Sequence, residues 1–335
     1  MKTIKNNKFT LVALVLLTLG LYSCTDKFLD EEENYLIDSE GYFNSEDDYY
    51  MALVGAYDLL QGTYVNNLLG EIASDNTLCG GESATDVVGF QQIDDMTHTP
   101  VNANLRDIWN WMFAGVKRTN YFLEFQNNIE FDGRVQMVAE VRFLRAYFHF
   151  ELVKWFGGIP VKDYANALEG GGKRFSPGDE TSIPRYSVEE VYALIESDLI
   201  FAANNLDYTT PQVGRVTKGA AQALLGKAYL YQDKFDEAAG ILEPLVGLYT
   251  LVPDLQNVFL TSGENGSESV FEVQHSKNSN WWDWGFPQGS EGSFGVIHHG
   301  IRGYNGSVYA QGWSFNVPTK DLYDAYADGD SRRSV

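Results

Sequence analysis

The sequence predicts a mostly α-helical protein in which stacked helix pairs form a platform for a loop-rich subdomain with short strands. Three stretches support this. Arg134–Pro160 (RVQMVAEVRFLRAYFHFELVKWFGGIP) is apolar on two sides. At 100° per residue Val141, Leu144, Phe148, Leu152 and Trp155 share one side, and Phe143, Ala146, Phe150 and Val153 fall nearly opposite. A surface helix carries one apolar stripe; two place it between neighbours, as in a stacked helical array. The second stretch, residues 220–246, reads as a helical hairpin with small residues where its arms meet. In the third, from Leu251 onward, helical period gives way to short apolar runs among Gly, Ser and Asn.

In chain order, Met1–Ser23 reads as a processing signal. Lys2, Lys5 and Lys8 form a basic start, and Phe9–Leu21 is an apolar run too short to span a bilayer comfortably. It ends in Leu21-Tyr22-Ser23-Cys24, which resembles a bacterial lipobox and predicts cleavage before an acylated Cys24. An ordinary secretory peptide with an incidental cysteine is the alternative. Acyl chains, at about 0.8 kcal/mol per buried methylene, would anchor the chain to a membrane. Cleavage removes three lysines and no acid, taking the net charge from −22 to −25. That balance argues against nucleic acid and against a basic patch on anionic lipid. Cys79 is the one cysteine besides Cys24, so no intrachain disulfide is expected.

Residues 24–44 read as a lipid-anchored acidic tether, followed by a helical domain over 45–213 and a second domain from 214. Ser45 caps a helix running to Gln61, with acids in its first turn. Gly62–Pro100 reads as a long loop, and helix returns over Asn104–Asn127. Asp132 is the expected N-cap of the two-striped helix, with Gly157-Gly158 and Pro160 as its stop. Asn166–Pro184 reads as a linker; its GGGKR lacks the Ser or Thr of a phosphate-binding loop. Ser187 and Glu190 make a capping box for a helix to Asn204. In the hairpin, Leu225-Gly226 and Tyr229 match the L-G-x-x-Y of a tetratricopeptide first helix, with Phe235, Ala238 and Leu242 at the matching later positions. Ser269–Val273 reads as an isolated strand or extended segment, after a turn at Gly263–Ser269.

AEVRFLRAYFHFELVKWFGGIPV (139–161) resembles the signature helix of the SusD/RagB family of outer-membrane, nutrient-binding lipoproteins. Ser74-Asp75-Asn76, Gly214–Tyr231 and Lys320–Arg333 agree with it in order. The resemblance implies a tetratricopeptide-like platform bearing a subdomain that binds glycans. It also implies an outward-facing, lipid-anchored position at the outer membrane and a TonB-dependent, SusC-like barrel as partner, which imports the captured oligosaccharide. Family members run past the GDSRR stretch, so 214–335 is expected to be the start of a truncated C-terminal domain.

For the glycan, the strongest candidates are Trp281, Trp282 and Trp284, crowded with Phe286 among Asp283, Gly285 and Pro287. An indole covers the apolar C–H face of a pyranose while polar neighbours meet its hydroxyls. The same rings could fill a small core, but their spacing follows neither helix nor strand. Asp75 and Asn76 could meet sugar hydroxyls or merely close an Asx-turn. Phe90, Gln91 and Gln92 are weaker candidates, and Tyr304 and Trp313 weaker again. Catalysis has less support: Asp94-Asp95 read as solvated, Glu71 and Asp75 could share a face, and His298-His299 lack a third zinc ligand. Arg142 and Arg145 read as partners of buried acids or carbonyls, His149 as packed, and Asp328, Asp330, Arg332 and Arg333 as a loop ion-pair network rather than a calcium site. No cofactor or metal is implied. A glycan-capturing protein that does no chemistry is therefore the leading expectation; a sugar-free lid on the transporter and a carbohydrate-active enzyme are the alternatives.

Overall fold

The computed structural model describes residues 39–210, 212–276 and 292–334. Cys24, the leader, most of the tether and Trp281, Trp282 and Trp284 lie outside the described residues. Ser39–Tyr42 (α1) is one helical turn, and Phe43 opens the compact unit that holds the remaining chain.

The capping signals act as expected. In α2 (Glu46–Tyr57) the Ser45 hydroxyl accepts from the Asp48 N–H, and the Asp48 carboxylate accepts from the Ser45 N–H at 2.8 Å. The helix then tightens into a 3₁₀ turn over Asp58–Gly62. The stretch expected to be loop contains two short helices, α3 (Tyr64–Ile72) and α4 (Val88–Asp94), besides β1 (Thr77–Leu78). Neither helix is long enough to sustain a visible period, and packing holds them instead: Leu68, Leu69 and Ile72 are fully buried, as is most of Ile93.

The long helices are α5 (Ala103–Glu124), capped by Asn102, and α6 (Arg134–Phe156). Asp132 does not cap α6. Gly133 holds the N-cap position at φ 87°, a left-handed conformation suited to glycine, and no side chain caps the end. Gly157, at φ 66°, ends the helix where expected. After the single turn α7 (Tyr164–Leu168) come α8 (Val188–Asn205), opened by the Ser187–Glu190 box, then α9 (Lys218–Leu230) and α10 (Phe235–Leu242). Helices α5, α6, α8, α9 and α10 pack each against the next, and α2 lies against both α5 and α6. This is the mostly helical, tetratricopeptide-like arrangement the sequence predicts. Close approach requires small residues: a Cβ at Gly226 would lie 2.6 Å from Leu242, so the glycine sets the α9–α10 contact.

Helix α6 is buried on its polar seams as well as its apolar stripes: Glu140 and Arg145 are 0% exposed. Asp198 of α8 receives both arginines, Arg142 Nε at 2.7 Å and Arg145 Nε and Nη2 at 2.7 and 2.8 Å. Arg145 also donates to Asn120 Oδ1 of α5 and to the carbonyls of Ala167 and Gly171. The other seam reaches other neighbours. Glu140 accepts from Tyr57 of α2 and from Arg215, and Glu151 accepts from Asn66 of α3. The stretch 166–184 is therefore no free linker. Its carbonyls satisfy buried donors on α5 and α6, and Arg174 pairs with Glu124 at 2.7 Å.

Strand structure among the described residues is one antiparallel pair, β1 with β2 (Val317–Pro318), in the register Thr77↔Pro318 and Leu78↔Val317. Ser269–Val273 forms no strand, and the Glu272 carboxylate holds the Asn265 N–H at 2.9 Å. The turn at 263–269 forms as expected. Helices α11 (Gly295–His299) and α12 (Lys320–Ala325) flank β2 in sequence. Beyond α12, Asp330 pairs with Arg332 and Asp328 with Arg333, and Arg332 holds the Asp330 carboxyl down at about 2.

Two outcomes follow from the buried seams. Asp198→Ala strands two guanidinium groups in the interior and should cost about 3–5 kcal/mol in urea denaturation. His149, 1% exposed, is held down to about 4 by burial and by the Arg145 guanidinium. The folded protein thus binds fewer protons than the unfolded chain between pH 6.5 and 4. The contribution is present above pH 6.5 and lost as pH falls, so His149→Gln should remove about 2 kcal/mol of the stability difference between pH 7 and pH 5.

Candidate functional site

The loop-rich subdomain is made where α3, β1 and α4 meet α11, β2 and the loops between 292 and 319. Its interior is aromatic. Phe90 stands edge-on to Phe315 at 5.5 Å, and His298 packs among Tyr64, Phe90, Phe294, Trp313 and Phe315 with centroids 5.9–6.4 Å away. Burial, and then the neighbouring His299, depress the His298 imidazole to about 4, so it is neutral at physiological pH. Arg302 closes the outside by pairing with Asp86 at 3.2 Å.

This interior reassigns several sequence candidates. Phe90 is 4% exposed, and its ring packs edge-on against Phe315 and His298. Gln91 donates to the carbonyls of Gly80 and Asp86, which shapes the loop before α4, and Gln92 accepts from Asn102. Asp94-Asp95 end α4 rather than lying in an extended segment. Tyr304 closes its own loop by accepting from the Val308 N–H, while Trp313 stacks on Phe294 at 6.0 Å. The buried Cys79 thiol is pushed up to about 12 by burial and by Asp94, Asp86 and Asp95, so it is no nucleophile near neutral pH.

Asp75 and Asn76 keep exposed side chains on a fixed backbone. The Ser74 hydroxyl accepts from the Asn76 N–H at 3.2 Å, so serine rather than aspartate closes this turn. Thr319 donates its hydroxyl to the Asp75 carbonyl and its N–H to the Asn76 carbonyl, pinning the turn to the end of β2. Beside it is a polar cluster the sequence reading missed. Asn316, 2% exposed, donates its amide to the Glu71 carboxylate and lies 2.7 Å from His299 Nε2. His299 Nδ1 is 2.6 Å from the Gly295 carbonyl, and its Nε2 also lies 3.4 Å from the Glu71 carboxylate. Glu71 is thus partnered by Asn316 rather than paired with Asp75. The two residues are 245 apart, and no local spacing could have signalled them.

The segment with the three tryptophans is bracketed by described residues. The rings of His275 and Phe294 both lie against Tyr64, at 6.5 and 6.4 Å. Both of these rings therefore meet the first residue of α3. The Asp75–Asn76 turn follows the other end of that helix, about 13 Å along it for nine residues. Among the described residues no group of three His, Cys, Asp or Glu gathers to hold a metal, and no helix is long and apolar enough to cross a membrane.

A tetratricopeptide-like helical platform carrying a loop-rich subdomain with a pinned polar turn defines the class of fold. The SusD-like family profile, described as starch-binding associating with the outer membrane, matches residues 27–230. The chain belongs to the SusD-like family. It is 26% identical to SusD-like protein P2 of Formosa agariphila across 99% of its own length, and 25% identical to SusD-like protein P38 of that organism across 82%. Among solved structures it resembles a laminarin-binding SusD-like protein with a TM-score of 0.76 and 30% identity, covering 87% of this chain and 65% of that one. Surface glycan-binding protein A from Bacteroides thetaiotaomicron, solved with laminarihexaose, shares the fold with a TM-score of 0.73 at 23% identity, covering 86% of this chain and 62% of that one. The chain spans 64% of the length of P2 and 54% of P38.

If Phe90 belongs to the packing, Phe90→Ala should lower stability by about 3–5 kcal/mol in thermal or chemical denaturation. Gln92→Ala should change glycan affinity less than twofold in titration calorimetry.

Proposed function

We propose that this protein captures extracellular oligosaccharides at the outer membrane, held there by lipid on Cys24, and passes them to a SusC-like TonB-dependent barrel without chemistry of its own. The observation that carries the reading is the 30% identity, at a TM-score of 0.76, to a protein that binds laminarin. Trp281, Trp282 and Trp284 supply the stacking surfaces, and Asp75 and Asn76 supply hydrogen bonds from their pinned turn.

The physical scale fits capture followed by release. A pyranose that takes about 50–80 Å² of apolar surface from water on each indole gains about 1–2 kcal/mol per ring. Two or three rings then supply about 3–5 kcal/mol, near the millimolar end of affinity. Weak binding suits a ligand that must leave for a transporter. The acidic charge of the chain agrees with sugar rather than nucleic acid or anionic lipid as partner.

Trp281→Ala combined with Trp284→Ala should weaken laminarihexaose or maltohexaose binding at least tenfold in titration calorimetry, with an unchanged melting temperature. Wild-type affinity in the double variant would remove the stacking role. Copurification with a large outer-membrane barrel from native membranes tests the partner.

A further inference from the structure

A second surface has the chemistry of a sugar site and takes no part in the reading above. Between α3, the end of α6 and the end of α9 lies an open cleft of about 500 Å³. Its aromatic walls are Trp155, partly exposed at the end of α6, and Tyr231, 56% exposed just after α9. Tyr231 is braced from behind by Phe150, edge-on at 5.2 Å, so the ring is positioned rather than loose. Gly70 and Ala73 line the cleft from α3, and nothing lies within 4 Å of the position a Cβ on Gly70 would take.

The polar groups are arranged for an uncharged partner. Glu151, 6% exposed, is neutralised by Lys154 at 2.6 Å and also accepts from Asn66 Nδ2 at 2.8 Å. Asn66 is itself 6% exposed, and its Oδ1 is buried with no hydrogen-bond partner. A buried carbonyl oxygen left unpaired costs about 1–3 kcal/mol, and being shut off from the cleft it offers a sugar no contact there. Asn67 is exposed on the same helix and uses its amide on no described neighbour. The remaining charge on the lining is the carboxylate of Glu71, so an anionic sugar is disfavoured. Glu71 also belongs to the Asn316–His299 cluster, which makes the cleft continuous with the polar patch beside Asp75 and Asn76.

We propose that the cleft walled by Trp155 and Tyr231 and floored by Gly70 is a second saccharide subsite, taking uncharged pyranose units of the oligosaccharide. The proposal rests on the glycan-binding reading but not on the tryptophan segment. Gly70 gives a test that spares the packing, because substitution in α3 meets no neighbour and improves helix propensity. Titration calorimetry with laminarihexaose and maltohexaose would compare the wild-type chain with Gly70→Gln, Gly70→Ala, Asn67→Ala and the Trp281→Ala/Trp284→Ala double variant. Gly70→Gln fills the cleft and should weaken binding at least fivefold without lowering the melting temperature. Asn67→Ala should weaken it about threefold, and Gly70→Ala, too small to fill the space, should stay within twofold of wild type. Wild-type affinity in Gly70→Gln, with loss in the tryptophan double variant, would overturn the cleft and leave glycan capture standing. Loss in Gly70→Gln with none in the double variant would keep the cleft and remove the tryptophan segment. A wild-type chain that binds neither hexasaccharide would overturn both.

Discussion

Two arginines of one helix closing on a single buried aspartate of another is the constraint on which the architecture depends. Asp198 has no exposure and meets three guanidinium nitrogens within 2.8 Å. Two cations facing one anion leave an excess of positive charge and of donors in the interior. That excess is met by Asn120 of α5, by Ser197, and by the carbonyls of Ala167 and Gly171. A buried charge set of this kind adds little net stability over a well-packed apolar equivalent, but losing any one partner is costly. Its effect is on position: α5, α6, α8 and the 166–184 stretch must be in register together for any member to be satisfied.

The opposite seam of α6 does the same for different neighbours. Glu140 joins α2 to the entrance of α9 through Tyr57 and Arg215, while Glu151 joins α3 through Asn66. Helix α3 is the hinge between platform and loops. Its interior side is tied to α6 by that hydrogen bond, its first residue meets the rings of His275 and Phe294, and its last turn carries Glu71 next to the Asp75–Asn76 turn. The array thereby fixes the position of α3 and of the turn that follows it.

The proposed capture would be weak and distributed. Among the described residues, the polar side chains of Asn66, Asn67 and Glu71 lie along α3, with the Asp75–Asn76 turn just beyond it. A protein that hands its ligand onward gains from several modest contacts, since each can be released in turn. The neutral His298 and the unreactive Cys79 agree with an interior built for packing rather than proton transfer.

The helical platform was legible in the sequence because its signals are local. Period, the serine cap at 45, the capping box at 187 and the glycine stop at 157 each depend on residues within a few positions. The double stripe of α6 also foretold its burial, and the seam arginines foretold an acidic partner. What the sequence left open were partners far apart along the chain. Asn316 reaches Glu71 across 245 residues, β1 pairs with β2 across 240, and Phe90 turns inward because residues 294–315 close over it. Short helices such as α3 and α4 exist because tertiary contacts hold them, and the carbonyls of the 166–184 stretch became structural because α6 needed acceptors. Caps and period are set by neighbours in sequence, whereas burial and hydrogen-bond partners are set by neighbours in space.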